Sequence, residues 1–350
     1  MKFNKLALAT VCLGIALGSS AFAAEFTLKY GHVGPTNDDS DDHQAGLFLK
    51  DYLETRSNGR IEVQIFPASQ MGDFRESIEA VQLGTLELAH TTTGGITQFF
   101  PELQVTAIPY MVPNDTIAEE LVESQFFKDV RAEVLNRTGN VLLAGVSNTG
   151  RFRNFYTSNK QIKSADDLKG VKMRVINSPL AIELVKFLGG NPTPVAWGEV
   201  YTSLKTGVVE GTKNGAPDIV SNNMHEVVKY AVIDEHEYLY GYFWLSYSWL
   251  KSLPEDLQPL VLDGVREMSK IQTQFNKQVD RRNSVAFVES GGQFYVPNAE
   301  EKATFQKATA HIKEWFVGEY GAEWYDKFDA AIKEAQARID NDDAAVLSLK

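Results

Sequence analysis

The chain runs to 350 residues and carries 46 acidic against 34 basic side chains, a formal net charge of −12, with 43% apolar and 23% charged residues. Such a balance suits a soluble globular protein with enough chain for two lobes or one large domain. An acidic surface argues against nucleic acid or anionic lipid as a partner.

Residues 1–23 read MKFNKLALATVCLGIALGSSAFA. Lys2 and Lys5 give a basic start, an apolar run follows from Leu6 to Leu17, and Ala21-Phe22-Ala23 forms a small-x-small cleavage site. The run is shorter than the ~20 residues of a spanning helix, so the segment reads as a secretory signal peptide. Cys12, the single cysteine, lies inside that run without the small preceding residue of a lipoprotein site. The mature chain is therefore expected to lack disulfides, cysteine catalysis and cysteine metal sites. It is also more acidic than the precursor, because Lys2 and Lys5 leave with the leader.

FTLKYGHV (residues 26–33) is expected as the first strand, and the acidic loop NDDSDD (37–42) precedes an amphipathic helix over 43–56. As a calcium loop that stretch fails, since Asp42 stands where glycine is needed and Phe48 where glutamate is needed. Its acids are expected to cap the helix and place negative charge at its N-terminus. RIEVQIF (60–66) is a second strand, and a helix after it stops in EAVQLGTLELA at Gly84, with Glu87 beyond. The proline-punctuated FFPELQVTAIPYMVP (99–113) is expected to pack under a cleft, 116–136 to be helical and VLLAGV (141–146) to be a strand. In GRFRNFYTSNKQIKSADDLKG, Arg151 and Arg153 share a face if the strand is regular, and a helix starts at Ser164.

Residues 172–215 read as strand, helix, strand, helix, strand, the grammar of an α/β domain. KMRV places Arg174 between apolar neighbours; a helix over 179–188 stops at Gly189-Gly190; 192–197 is extended; a helix over 198–205 ends at Thr206-Gly207 and VVEG is the next strand. A desolvated guanidinium needs an anion or several oxygen acceptors. Arg174 is thus either an internal salt-bridge partner of an Asp or Glu, or a fork for a carboxylate ligand, and spacing leaves both open. Asn214 falls after the last strand, where ligand-facing loops of open α/β sheets emerge. TSLKTGVVEGT, with Gly207 and Glu210, repeats the plan of EAVQLGTLELA. Two such units far apart suggest two lobes of related build with a cleft between them.

The aromatic stretch EYLYGYFWLSYSWL sets Tyr238, Tyr240, Tyr242 and Trp244 on alternate positions, as a core strand crossing between lobes or as an apolar pocket wall. From Pro254 onward long helices follow, interrupted at 291–297. Of the histidines His32, His43, His90, His225, His236 and His311, none forms HExxH or another ligand spacing, and no G-x-S-x-G occurs. His43 and His90 can approach the cleft, but no catalytic residue, metal ligand or cofactor is assigned.

KMRV, GGNPTPVAWGEVYTSLKTGVVEGTKN, PASQMGDFRESIEAVQLGTLELA and SLPEDLQ together resemble the DctP-like extracytoplasmic solute-binding proteins of tripartite ATP-independent periplasmic (TRAP) transporters, over essentially the whole mature chain. The resemblance implies an α/β, two-lobed periplasmic binding protein fold with crossing strands and a long spanning helix. Lobe boundaries are expected near 24–150 plus 240–279 for lobe I and 151–239 plus 280–350 for lobe II. It implies a monomer in the periplasm of a Gram-negative bacterium that closes on a small organic anion and delivers it to the small and large membrane subunits. Carried over by position, Arg174 pairs with the ligand carboxylate, Asn177 reaches the ligand and Asn214 steadies the carboxylate or the arginine. Gly215 stands where many members have proline. Arg153 matches a second basic position, with Arg151 as its rival. Trp197 is an aromatic wall, Phe74 and Thr92 lie on the opposite lobe, and Tyr240 comes from the crossing strand. An importer's binder driven by ATP and a secreted enzyme acting on small acids are the alternative readings. Sugar acids, C4-dicarboxylates, hydroxy- or keto-acids and ectoine-like zwitterions all fit one arginine fork with a second basic group.

Overall fold

The computed structural model describes residues 24–347, so the leader and Cys12 lie outside the described residues. Nine strands form one mixed sheet: β1 (Phe26–Gly31), β2 (Ile61–Phe66), β3 (Leu88–Thr91), β4 (Val141–Thr157), β5 (Lys172–Val175), β6 (Asn191–Pro194), β7 (Gly211–Asn214), β8 (Tyr230–Ser246) and β9 (Gln293–Tyr295). Their order is β2-β1-β3-β8-β4-β7-β5-β6, with β9 beside β8. The parallel trio β2-β1-β3 therefore ends one side and the parallel trio β7-β5-β6 the other. Between them the long strands β4 and β8 run antiparallel to each other and to β7 and β3, while β9 pairs with β8 in parallel. This is the α/β architecture with crossing strands that the resemblance implies.

Each trio is wound the same way. The first runs β1, helix Asp41–Arg56, β2, helix Phe74–Leu83, β3; the second runs β5, helix Pro179–Phe187, β6, helix Val200–Lys205, β7. Both second helices end at a glycine in left-handed backbone, Gly84 at φ 73° and Gly207 at φ 74°, a conformation that costs glycine no Cβ clash. Glu87 then accepts from the backbone N–H of Lys29 on β1 at 2.9 Å, and Glu210 from that of Lys172 on β5 at 3.0 Å. The shared glutamate after the glycine is a brace between strands in both units.

Several boundaries depart from the periodicity. VVEG is not the strand: Glu210 is bound by backbone and side chain to Lys172, and the ladder begins only at Gly211. Asn214 is consequently the last residue of β7 and not part of the loop beyond it. The first helix begins at Asp41, two residues early, and its N-cap is Ser40 with no side-chain capping bond. The segment 116–136 divides into Asp115–Leu121 and Gln125–Thr138. Arg151 and Arg153 do not share a face, because β4 slips register between Asn148 and Phe152 and Arg151 sits at φ 62°.

The helix Leu257–Glu289 spans 33 residues, about 50 Å at 1.5 Å per residue. It lies along β4 and packs on the first helix at one end and on the helix Ala216–Ser221 at the other. One apolar cluster gathers β1, β2, the first helix and the start of this long helix. A second gathers Tyr156, Val200, Leu204, Val209 and Phe287 under β7. The largest runs through the crossing strands and takes in Leu103, Val105 and Ile108 from the proline-punctuated stretch. Among the described residues no helix is long and apolar enough to cross a membrane.

Candidate ligand-binding site

A cavity opens between the two trios, lined by residues of both. Its cationic wall comes from β4, β5 and β7. Arg174 on β5 is 3% exposed, and its Nε and Nη2 both donate to the Val195 carbonyl, at 3.1 and 2.9 Å. Nη1 donates to no described residue. Trp197 lies beneath the guanidinium, 5.4 Å from Cζ to ring centroid. No carboxylate of a described residue forms an ion pair with Arg174, so the salt-bridge reading of this buried arginine fails. Burial, and repulsion from Arg153, pull its pKa down to about 9. An anion in the cavity would relieve both.

Arg153 is buried beside it but is already engaged. Its Nε lies 3.3 Å from Glu237 Oε1, and Nη1 donates to the Lys213 carbonyl at 3.2 Å. Glu237 also pairs with the buried Lys213 ammonium. Two cations against one carboxylate leave this cluster net positive. Arg151, the rival, is held by Asp115 and Asp280 on the opposite side of the bulge and does not line the cavity. The register slip decides between the two arginines.

Asn214 closes the cationic wall: Nδ2 donates to Asp218 Oδ2 at 3.0 Å, and Oδ1 accepts from Thr212 at 2.8 Å. Gly215 follows because nothing larger fits; a Cβ there would come within 1.7 Å of the Gly150 carbonyl. Phe74, Thr92 and Trp197 also line the cavity. Two candidates do not. Asn177 is exposed and faces a separate groove with Asp73, Gly94 and Pro194. Tyr240 donates to the Ala118 carbonyl at 3.0 Å and lies in a buried row, edge-on to Tyr238 and tilted against Tyr242. The alternate aromatics of β8 are core, which corrects the placement of Tyr240 on the pocket.

The opposite wall is acidic. Asp41 and Asp42, expected to cap the helix, are instead bound by the long helix. Gln272 Nε2 donates to Asp41 at 2.9 Å and to Asp42 at 3.0 Å, and Asn276 donates to Asp41 at 2.9 Å. Thr149 of β4 adds a third donor to Asp41 at 2.7 Å. His90 of β3 places Nδ1 2.8 Å from Asp42 Oδ1, while its Nε2 packs toward Gly241, where a Cβ would approach to 2.4 Å. A third acid, Asp218 of the helix Ala216–Ser221, lies between this wall and the cationic one, bonded to Asn214 and within reach of the charge of Asp41.

Their charges are not equally settled. Burial raises Asp42, but His90 and its contact hold the carboxyl below its usual range. Burial also opposes the His90 imidazolium, which Asp42 nonetheless raises overall. Burial and then Asp42 push Asp41 up to about 6, and burial and then Asp41 push Asp218 up to about 7. Sequence reasoning missed Asp41, Asp42 and Asp218 as cavity residues, and placed His90 near the cleft without a role. The available signal was weak: Asp218 follows Asn214 at helical spacing, but an acidic doublet before an apolar helix looks like ordinary capping. Among the described residues no group of three or more His, Cys, Asp or Glu side chains is placed to hold a metal ion.

A family model described as bacterial extracellular solute-binding protein, family 7, matches residues 30–317. The chain is 32% identical over 257 residues to a solute-binding protein of Roseobacter denitrificans, covering 73% of this chain and 77% of the other. It is 27% identical over 345 residues to the ectoine-binding periplasmic protein of Halomonas elongata, covering 96% and 99%. A solved TRAP periplasmic solute-binding protein of Desulfovibrio salexigens, with bound orotic acid, superposes with a TM-score of 0.81 at 28% identity, covering 88% of this chain and 99% of that one.

Proposed function

The chain belongs to family 7 of the bacterial extracellular solute-binding proteins, and from that premise we propose that it captures a small organic acid in the periplasm and hands it to the small and large membrane subunits of a TRAP transporter. The ligand carboxylate docks on Arg174, with Arg153 and Asn214 beside it and Trp197, Phe74 and Thr92 around it. The observation that carries this reading is Arg174 itself, a buried guanidinium on the cavity wall with no carboxylate partner. Leaving such a charge unpaired costs several kcal/mol, and a ligand carboxylate supplies the missing partner by charge-assisted hydrogen bonds. Because Nε and Nη2 already hold Val195, the ligand takes the Nη1–Nη2 end of the fork.

The two trios form the lobes, with boundaries near 24–150 plus 240–279 and 151–239 plus 280–350. Support comes from the crossing strands, which break at the Asn148–Phe152 slip in β4 and at Glu235, φ 53°, in β8. Such breaks let two packed halves rotate without tearing the ladder. Closure shields the ion pair from water and couples occupancy to the shape the membrane subunits meet. The protein acts as a monomeric binder and not as an enzyme; His90, the histidine lining the cavity, is paired with Asp42.

Calorimetric titration of Arg174→Lys with an acid that binds the wild type tests the assignment. Lysine cannot present a planar fork, so affinity falls by at least about thirtyfold. Undiminished affinity in a variant with native circular dichroism removes Arg174 as the anchor.

A further inference from the structure

The anchor explains one wall of the cavity and leaves the other unexplained. Asp41 and Asp218 are both half-buried on the cavity, and every hydrogen bond they receive comes from a neutral group: Thr149, Gln272 and Asn276 to Asp41 Oδ2, Asn214 to Asp218 Oδ2. Neither forms an ion pair with a described cation. Asp41 Oδ1 and Asp218 Oδ1 accept nothing from a described residue. Carboxylates held this way have room for further donors.

A second, independent observation lies on the same cavity. Ser40 and Thr92 are the N-cap residues of their helices, yet neither side chain caps. Both are buried, at 1% and 7% exposed, both line the cavity, and both hydroxyls lack a partner. N-cap hydroxyls ordinarily bond to their own helix. Here they are left free on the same cavity as the free carboxylate oxygens, which makes this part of the lining polar and rich in acceptors.

Resting on the reading of Arg174 as carboxylate anchor, we propose that the ligand is a monocarboxylate whose far end donates hydrogen bonds, from hydroxyl or ammonium protons, to Asp41 and Asp218, with Ser40 and Thr92 alongside. A second carboxylate at that end is rejected. Like charges brought together in a water-poor cavity repel strongly, and such repulsion is a common source of specificity. C4-dicarboxylates, which one arginine and a second basic group would otherwise admit, are thereby excluded.

The test is a thermal-shift panel at pH 8, followed by calorimetry on the hits, using the mature protein after partial unfolding and refolding to strip bound solute. Three classes are compared: polyhydroxy monocarboxylates such as gluconate and glucuronate, ammonium monocarboxylates such as 4-aminobutyrate, and dicarboxylates such as succinate and malate. Shifts confined to the first class assign hydroxyl donors, and shifts confined to the second assign an ammonium; either result supports the proposal. Asp218→Asn and Asp41→Asn, checked for native circular dichroism, then lower the preference over succinate by about tenfold. A dicarboxylate that binds as tightly as any monocarboxylate overturns the proposal while leaving the Arg174 reading intact. Shifts by uncharged sugars alone, or by nothing in the panel, overturn the carboxylate reading and this inference with it.

Discussion

The trio β1–β3 and the trio β5–β7 follow one chain path, end their second helices at equivalent glycines and brace their first strands with equivalent glutamates. They differ at the ends of the strands that face the cavity. After β1 the chain enters its helix through Ser40, Asp41 and Asp42, whereas β5 carries Arg174 within the strand and enters its helix through Ser178 and Pro179. After β3 stand Thr92 and Thr93; β7 ends at Asn214 with Gly215 following. The scaffold is repeated, and the chemistry is confined to a few positions at its C-terminal strand edges. A repeated frame can therefore hold opposite charges a short distance apart, Asp41 and Asp42 after β1 against Arg174 on β5, with Asp218 after β7 between them.

Breaking the contrast at its cationic pole gives the largest effect. Arg174→Ala leaves the carboxylate it would pair with unpaired and costs about 2–5 kcal/mol of binding, read by calorimetry, while the melting temperature without ligand changes little or rises. Next is the joint where the second trio departs from the first. Gly215→Ala forces the chain away from the Gly150 carbonyl and costs about 1–3 kcal/mol of stability, measured by urea denaturation. Thr92→Ala, on the equivalent loop of the other trio, costs less than half of that.

The acidic pole makes a prediction about pH. Asp218 has its pKa raised from 3.8 to about 7 by burial and the charge of Asp41. At pH 3 it is protonated in the folded and unfolded chains alike, so it adds no penalty. As pH rises from about 4 to about 7 the unfolded carboxyl loses its proton while the folded one keeps it, and stability falls. Above about 7 the whole penalty is present. Asp218→Asn removes it, so the variant without ligand melts several degrees above the wild type at pH 8 and the gap closes toward pH 4. A gap that widens on acidification contradicts the assignment. The smallest effects sharpen the likeness of the two frames. Glu87→Gln and Glu210→Gln each weaken a brace to a strand N–H, for about 1 kcal/mol. Glu87 is the costlier because it is buried and Glu210 is only half-buried.

Much of this was legible before any coordinates. Alternating strands and helices, the paired glycine–glutamate joints and Arg174 between apolar neighbours follow from local pattern, because periodicity and backbone stops are local properties. They determine the α/β class, the doubled plan and the presence of an arginine inside a strand. Tertiary structure alone decided the rest. A register slip at Asn148–Phe152, invisible in composition, turned Arg153 inward and Arg151 away. The same helical run that looked like a capped surface helix presents Asp41 and Asp42 to Gln272 and Asn276, more than 200 residues later in the chain. Whether a carboxylate is a surface cap or a buried acceptor depends on which distant donors fold against it, and no spacing along the chain encodes that meeting.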